Sequence, residues 1–302
     1  MHIVMTGGTG GIGLVAARQS IKHGADLTIG ARAPDKAPAD LKRGARIEAL
    51  DLADLADVDR FSDRIEALAP IDALVLNAGL QVITGTRSAQ GLELSFAVNH
   101  LAHFRLIELL NGRLAPGARV ILTSSGTHDP DLKIDVPPPR HADARRLARP
   151  ETDSERDTDP TKAGRRAYSS SKLCNVMIAR ELAVRWRATR PDVAAIAYDP
   201  GFTPGTGLAR DYPGLLPLLF RHVLPFTSRG PRVSTPAISG GHLARLSLEP
   251  TFGQARGAYF AVRGVELLEV EPSVLARDDG ACARLWEDSE GLLAEVAPGV
   301  LT

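Results

Sequence analysis

Lysine, cysteine and surplus charge are what this sequence has least of. The chain of 302 residues carries 36 Lys+Arg against 36 Asp+Glu, and without excess positive charge it lacks the electrostatic footprint of a nucleic-acid binder. Only six of the basic residues are lysines, Lys22, Lys36, Lys42, Lys133, Lys162 and Lys172, so each lysine is a more informative letter than any arginine. Cys174 and Cys282 are the only cysteines. They cannot make a disulfide framework and neither has a partner at metal-ligand spacing, which predicts no metal site and a reducing, cytoplasmic setting. The most apolar stretch, 214–226, is interrupted by Pro217, Arg221 and His222 and is too short to span a bilayer. The start, Met1-His2-Ile3-Val4, has no basic segment followed by an apolar run, which predicts no signal peptide. With 44% hydrophobic and 24% charged residues, the chain has the composition of a folded domain with a large core, and disorder over its whole length is excluded.

What is present alternates. Short β-type runs at 2–5, 26–31, 45–50, 71–76 and 119–123 are interleaved with helical patterns at 12–23, 55–68 and 88–110, followed by a helix over 168–190 and a strand at 193–198. A last helix, strand and helix close the chain. This order predicts right-handed crossovers and a parallel sheet. The runs Ala73-Leu74-Val75-Leu76 and Val120-Ile121-Leu122 are apolar without alternation, as central strands covered on both faces would be. The predicted fold class is therefore α/β, a Rossmann-type doubly wound parallel sheet in a three-layer αβα sandwich, forming one domain over 1–302. The stretch 127–166, with Pro137-Pro138-Pro139 and many arginines and acids, breaks the pattern and is expected to be a surface insertion.

Three motifs carry chemistry. After the first strand comes Thr6-Gly7-Gly8-Thr9-Gly10-Gly11-Ile12-Gly13, whose glycines would let the chain turn and bring a pyrophosphate to a helix N-terminus, where amide groups and the dipole favour an anion. Glycines also serve plain turns, and the strand-turn-helix setting is what favours nucleotide binding. The second strand ends at Ala31, where an acid would commonly face a ribose 2′-hydroxyl, and Arg32 follows. A guanidinium can hold a 2′-phosphate bidentately, so NADP(H) is expected rather than NAD(H). Tyr168-Ser169-Ser170-Ser171-Lys172 places a phenol and an ammonium on one helix face. A nearby ammonium favours the phenolate and would bring its pKa down toward neutrality, which makes an acid–base pair.

Together these motifs resemble the short-chain dehydrogenase/reductase family over nearly the whole chain. The likeness extends through Asp51-Leu52, Asn77-Ala78-Gly79, Asn99, Ser124-Ser125 and Pro200-Gly201. The resemblance implies that Ser125 polarises a carbonyl, Tyr168 moves the proton, Lys172 holds the nicotinamide ribose and tunes Tyr168, and Asn99 anchors a proton-relay water. It also implies that Gly7, Thr9, Gly10, Gly11, Ile12 and Gly13 cradle the pyrophosphate, Asp51 and Leu52 border the adenine, and Asn77, Ala78 and Gly79 floor the site. Pro200, Gly201 and a following threonine would meet the carboxamide. Taken singly, Ser125 also fits a helix cap, Asn99 a satisfied buried amide and Pro200-Gly201 a plain turn.

The Gly turn satisfies both the ordinary branch of the family and its epimerase-like branch, and Asn77-Ala78-Gly79 favours the ordinary one. Ser125 and Tyr168 lie 43 positions apart, far more than is usual in that branch, because the insertion falls between them. The insertion, Thr127-His128-Asp129-Pro130, Leu173-Cys174-Asn175 after the Tyr/Lys pair, and Asp199-Pro200-Gly201 with Thr206-Gly207-Leu208 look most like the light-dependent protochlorophyllide reductase and retinol dehydrogenase group. That likeness makes Thr206 the carboxamide partner in preference to Thr203. The protochlorophyllide enzymes share a cysteine directly after Pro-Gly, where this chain has Phe202. Residues 203–228, rich in leucine and phenylalanine, are expected to form a substrate lid; a core helix or an interfacial membrane contact are the other readings. The expected activity is NADPH-dependent reduction of a bulky hydrophobic ketone or aldehyde, or its reverse, by a monomer or homodimer. A C=C reductase like the protochlorophyllide enzymes, an epimerase and a non-catalytic NADP(H) sensor are the alternatives.

Overall fold

Strands apolar on both faces have to be covered on both faces, and that requirement shapes the molecule. The computed structural model describes residues 1–204 and 230–297. Eight strands, β1 (His2–Thr6), β2 (Asp26–Ala31), β3 (Arg46–Ala49), β4 (Ile71–Leu76), β5 (Leu114–Thr123), β6 (Ala194–Asp199), β7 (Arg256–Arg263) and β8 (Glu266–Glu269), form one sheet. Their order is β3-β2-β1-β4-β5-β6-β7-β8. All neighbours are parallel except β7 and β8, which form an antiparallel hairpin at the edge. The described helices are α1 (Gly11–Lys22), α2 (Ala39–Gly44), α3 (Leu55–Glu66), α4 (Leu94–Phe96), α5 (Ala102–Leu110), α6 (Ala144–Ala148), α7 (Pro160–Thr189), α8 (Pro236–Leu248) and α9 (Asp279–Val296).

Successive side chains of a strand point to opposite faces, and the central strands bury both. Ile3, Met5, Ala73 and Val75 pack with Ala16 and Ala17 of α1 and Leu243 and Leu246 of α8. Val4, Leu74 and Leu76 join Val58 and Phe61 of α3, Phe104 of α5, Met177 of α7 and Leu293 of α9 on the other face. The doubly wound sandwich is therefore the observed fold. Because the strand order reverses about β1, the crevice between the carboxyl ends of β1 and β4 is the topological switch point where such sheets take their ligands.

Several segments differ from the sequence expectation. Residues 88–93 are not helical: Gly91 turns at φ +75°, and the helix begins only when the Glu93 carboxylate accepts the N–H groups of Ser95 and Phe96. Between α4 and α5 the chain passes through a π turn, Ala97–Leu101. The long helix α7 starts at Pro160, capped by the Asp159 side chain, so it takes up the last residues of the segment expected to be an insertion. Within the rest of that segment Ala142, Ala144 and Ala148 are buried, Asp153 accepts from His141 and Arg146, and Asp157 accepts from Arg140 and Arg166. Its charged residues pair with one another or with Arg87 and Glu295 of the domain, so it packs without an apolar period of its own. The expected lid, 203–228, and Thr206 fall almost wholly outside the described residues.

The close approach of α7 to the segment after β4 depends on Gly164, where an added Cβ would lie 2.1 Å from the Val82 carbonyl oxygen. Alanine would gain about 1 kcal/mol of helix propensity there. Overpacking against fixed backbone costs about 1–3 kcal/mol and wins. Gly164→Ala is therefore expected to lower the urea midpoint; an unchanged or raised midpoint contradicts this packing.

Candidate active site

The glycine turn leaves β1 at Gly7 (φ +70°) and enters α1 at Gly11 (φ +54°), conformations that side chains disfavour. A Cβ on Gly13 would meet the Gly7 carbonyl oxygen at 2.1 Å and Asn77 Nδ2 at 2.6 Å. Turn and helix are thus in contact with the segment after β4. Asn77 Nδ2 donates to the carbonyl oxygens of Thr6 and Gly7 at 3.4 and 3.3 Å, and the N–H groups of Asn77 and Ala78 both donate to Thr6 Oγ1 at 3.0 Å. The first turn of α1 has no acidic residue and no side-chain cap, and a Cβ on Gly10 would meet nothing within 4 Å. Unspent amide groups facing open space fit a dinucleotide pyrophosphate.

At the ends of β4 and β5 stand the proton-handling groups. Lys172 is 3% exposed, and among the described residues the sole acceptor of its Nζ is the Thr123 carbonyl oxygen at 3.0 Å. Asn175 Nδ2 donates to the same oxygen at 3.0 Å, which fixes its direction. Burial pushes the Lys172 pKa down to about 8, because the interior disfavours the ion. Nζ lies 5.6 Å from the centre of the Tyr168 ring. The Tyr168 phenol, itself buried, is pushed up to about 12, chiefly by burial and further by Asp199, against a hydrogen bond with the Ser125 side chain. This corrects the expectation of a phenol drawn toward neutrality: burial and Asp199 outweigh the Ser125 hydrogen bond, and Tyr168 is a protonated acid at neutral pH. Ser125 follows β5 and caps the 126–128 turn, its Oγ accepting from the Thr127 N–H at 3.3 Å, while its carbonyl is held by His128 Nδ1 at 2.8 Å.

Asn99 lies in the π turn and is completely buried. Its Oδ1 accepts the Leu80 N–H at 2.8 Å, and its Nδ2 donates to the Leu80 carbonyl at 2.8 Å and to Ser171 Oγ at 3.0 Å. The side chain is therefore spent on joining the segment after β4 to α7. The Asn99 carbonyl faces His103 Nδ1 at 3.2 Å. A Cβ on Gly79 would come within 3.2 Å of Lys172 Nζ and 3.3 Å of Asn99 Oδ1, so Gly79 keeps the approach to both groups open.

The remaining expected residues lie along the same carboxyl edge. Arg32 follows β2, exposed. Asp51 follows β3 and accepts the Ala53 N–H at 3.0 Å, beside the buried Leu52. Thr9 and Ile12 belong to the glycine turn and the start of α1, Ile12 packing partly on the core. Gly201, at φ +72°, donates its N–H to Asp199 Oδ1 at 2.9 Å, and the Pro200 carbonyl accepts from Ser239 Oγ at 2.7 Å. Thr203 Oγ1 is engaged with the carbonyls of Pro200 and Gly201. Asp199, which also takes the Tyr259 hydroxyl and Arg263 at 3.2 Å, His128 and His103 support the site; Asp199 and His128 enter the sequence reading only as part of the family likeness, and His103 not at all. The spacing Asn99-x-x-x-His103 puts two polar groups on one helical face, which is the sole signal for the last of them.

Comparison with known proteins agrees with this geometry. A family model described as short chain dehydrogenase matches residues 1–130. The chain is 34% identical to bovine dehydrogenase/reductase SDR family member 13, over 98% of this chain and 74% of the relative. It is 32% identical to a protochlorophyllide reductase of Avena sativa, over 96% of this chain and 99% of the relative. A short chain dehydrogenase from Burkholderia cenocepacia, solved in complex with NADP, superposes with a TM-score of 0.58 at 19% identity, over 85% of this chain and 94% of that one. The chain therefore belongs to the short-chain dehydrogenase/reductase family of oxidoreductases.

Proposed function

We propose that this protein is an NADPH-dependent reductase of bulky, largely apolar ketones or aldehydes, with Ser125, Tyr168, Lys172 and Asn99 as its proton-handling site. One observation carries the reading: a protonated phenol, a serine hydroxyl and a buried ammonium without a carboxylate partner among the described residues converge beside the glycine turn. When bound, NADPH supplies the hydride. Gly7, Thr9, Gly10, Gly11, Ile12 and Gly13 present their backbone to the pyrophosphate, and Arg32 offers the fork that suits a 2′-phosphate. Asp51 and Leu52 border the adenine, and Asn77, Ala78 and Gly79 floor the site. Pro200, Gly201 and, from the sequence likeness, Thr206 would meet the carboxamide. Ser125 and Tyr168 donate to the substrate oxygen, stabilising the charge that develops there, and the phenol proton passes to it. Lys172 has donors left after Thr123 to hold ribose hydroxyls and to stabilise the phenolate left behind.

The oat relative favours a second reading, reduction of a C=C bond, which would show as light-dependent product formation on a tetrapyrrole. Phe202, in place of the cysteine that the protochlorophyllide enzymes share, speaks against it. A regulator that only senses NADP(H) would have no use for a proton donor.

An NADPH-oxidation screen over steroid, retinoid, polyketide-type and aryl ketones, run beside NADH, tests the assignment. At least one bulky ketone is expected to turn over, faster with NADPH. Tyr168→Phe is expected to reduce kcat by about 10²–10⁴-fold, the usual worth of a positioned acid, with NADPH binding kept; near-normal turnover in that variant overturns the assignment. The free-enzyme pH profile supplies an independent check. Lys172 is charged below its lowered pKa, so kcat/KM for NADPH should be level near neutrality and fall as pH rises through about 8. A profile still level two units higher contradicts the role given to Lys172.

A further inference from the structure

Thr6 at the root of the glycine turn, Asn99 in the π turn and Lys172 on α7 come from three separate segments; one imidazole bonds the first two and feels the charge of the third. His103 is fully buried. Its Nε2 lies 3.0 Å from Thr6 Oγ1 and its Nδ1 3.2 Å from the Asn99 carbonyl oxygen. The hydrogen-bond inventory fixes its tautomer. Thr6 Oγ1 already accepts two backbone N–H groups, so both lone pairs are used and its single proton goes to His103 Nε2. The ring proton therefore sits on Nδ1 and is donated to Asn99.

The charged form has no place here. A proton on Nε2 would set a donor against a hydroxyl that has no lone pair left. The titratable groups facing the ring are Lys172 from α7 and His100 from the preceding turn; burial, with the Lys172 ammonium adding to it, pushes His103 down to about 3, and burial does the same to His100. His103 is thus a fixed donor-acceptor bridge rather than a titrating group.

What it holds is the carbonyl of a residue inside the π turn. There the i→i+5 pattern departs from α-helical register, and the imidazole N–H gives that carbonyl a defined side-chain donor. The same residue's side chain is bonded to Leu80 and Ser171 and lies with Lys172 Nζ around Gly79. A rotation of the Asn99 peptide would therefore be felt at the ammonium. We infer that His103 is a positioning residue of the reductase site: as a neutral Nδ1–H imidazole, its other nitrogen occupied by the Thr6 hydroxyl, it orients the Asn99 carbonyl beside the proton-handling groups. This rests on the proposed reductase reading.

Three variants separate the two ends of the bridge. His103→Leu removes both bonds, His103→Asn keeps an amide donor near the Nδ1 position, and His103→Gln places an amide near Nε2. With the best ketone of the screen, kcat is expected to fall about tenfold or more in His103→Leu and His103→Gln and to be largely recovered in His103→Asn, with the NADPH Kd from fluorescence unchanged throughout. Unchanged kcat in His103→Leu, equal loss in His103→Leu and His103→Asn, or losses that follow the NADPH Kd overturn the inference. A second readout needs no substrate. Long-range ¹H–¹⁵N spectra of the folded protein, assigned against His103→Asn, should show a neutral Nδ1–H ring that does not titrate around the ordinary imidazole pKa of about 6.5. An Nε2–H tautomer or a titrating ring overturns it, even in a protein that reduces none of the ketones, which would itself sink the function proposed above.

Discussion

The site is organised around an ammonium ion that has been taken out of water. Lys172 is almost wholly buried, its described acceptor is one backbone carbonyl, and no carboxylate is within ion-pairing distance among the described residues. Desolvation of that kind is unfavourable on its own and is tolerated only where the surrounding structure fixes it. The Thr123 carbonyl ends β5, Asn175 shares it, and Ser124 Oγ bonds the Lys172 carbonyl at 2.8 Å. The helix that carries the lysine is thus fastened to the strand end by three polar contacts. The Tyr168 phenol, on the same helix face and equally desolvated, is kept in its neutral form by the same environment.

From this constraint the rest of the carboxyl edge follows. Gly79 has no side chain to fill the space at Lys172, Asn99 bolts that segment to α7, and His103 joins the π turn to β1. On the other side, Asp199 gathers Gly201, Tyr259 and Arg263, and His128 joins Ser125 to Ser273, whose N–H it accepts at 3.3 Å. Two buried imidazoles therefore stand behind the two flanks of the site, each as a structural tie between segments distant in sequence.

Much of this was legible in the sequence, for physical reasons. Strands covered on both faces announce themselves by unbroken apolar runs, and the runs at 73–76 and 120–122 fall inside β4 and β5. The glycine turn and Tyr168/Lys172 are spacing signals, and the structure brings both to one edge. Less legible was whatever depends on polar residues finding polar partners. The first turns of α7 hold Lys162 and Arg166, which look like solvated loop until Asp159 is seen to accept the Lys162 N–H and Asp157 the Arg166 guanidinium. The edge strand β8, Glu-Leu-Leu-Glu, is too short and too charged to stand out. The protonated state of Tyr168 could not be read either, because spacing reveals the ammonium but not the loss of water that raises the phenol.

The most direct test of the central claim follows the hydrogen that is transferred. The enzyme is incubated with a bulky aryl ketone and NADPH carrying deuterium at both C4 positions of the nicotinamide, and the product is analysed by mass spectrometry and NMR. The account requires one deuterium on the carbinol carbon and none elsewhere. Product without deuterium at that carbon, or NADPH binding with no carbinol formed from any ketone of the panel, would contradict it.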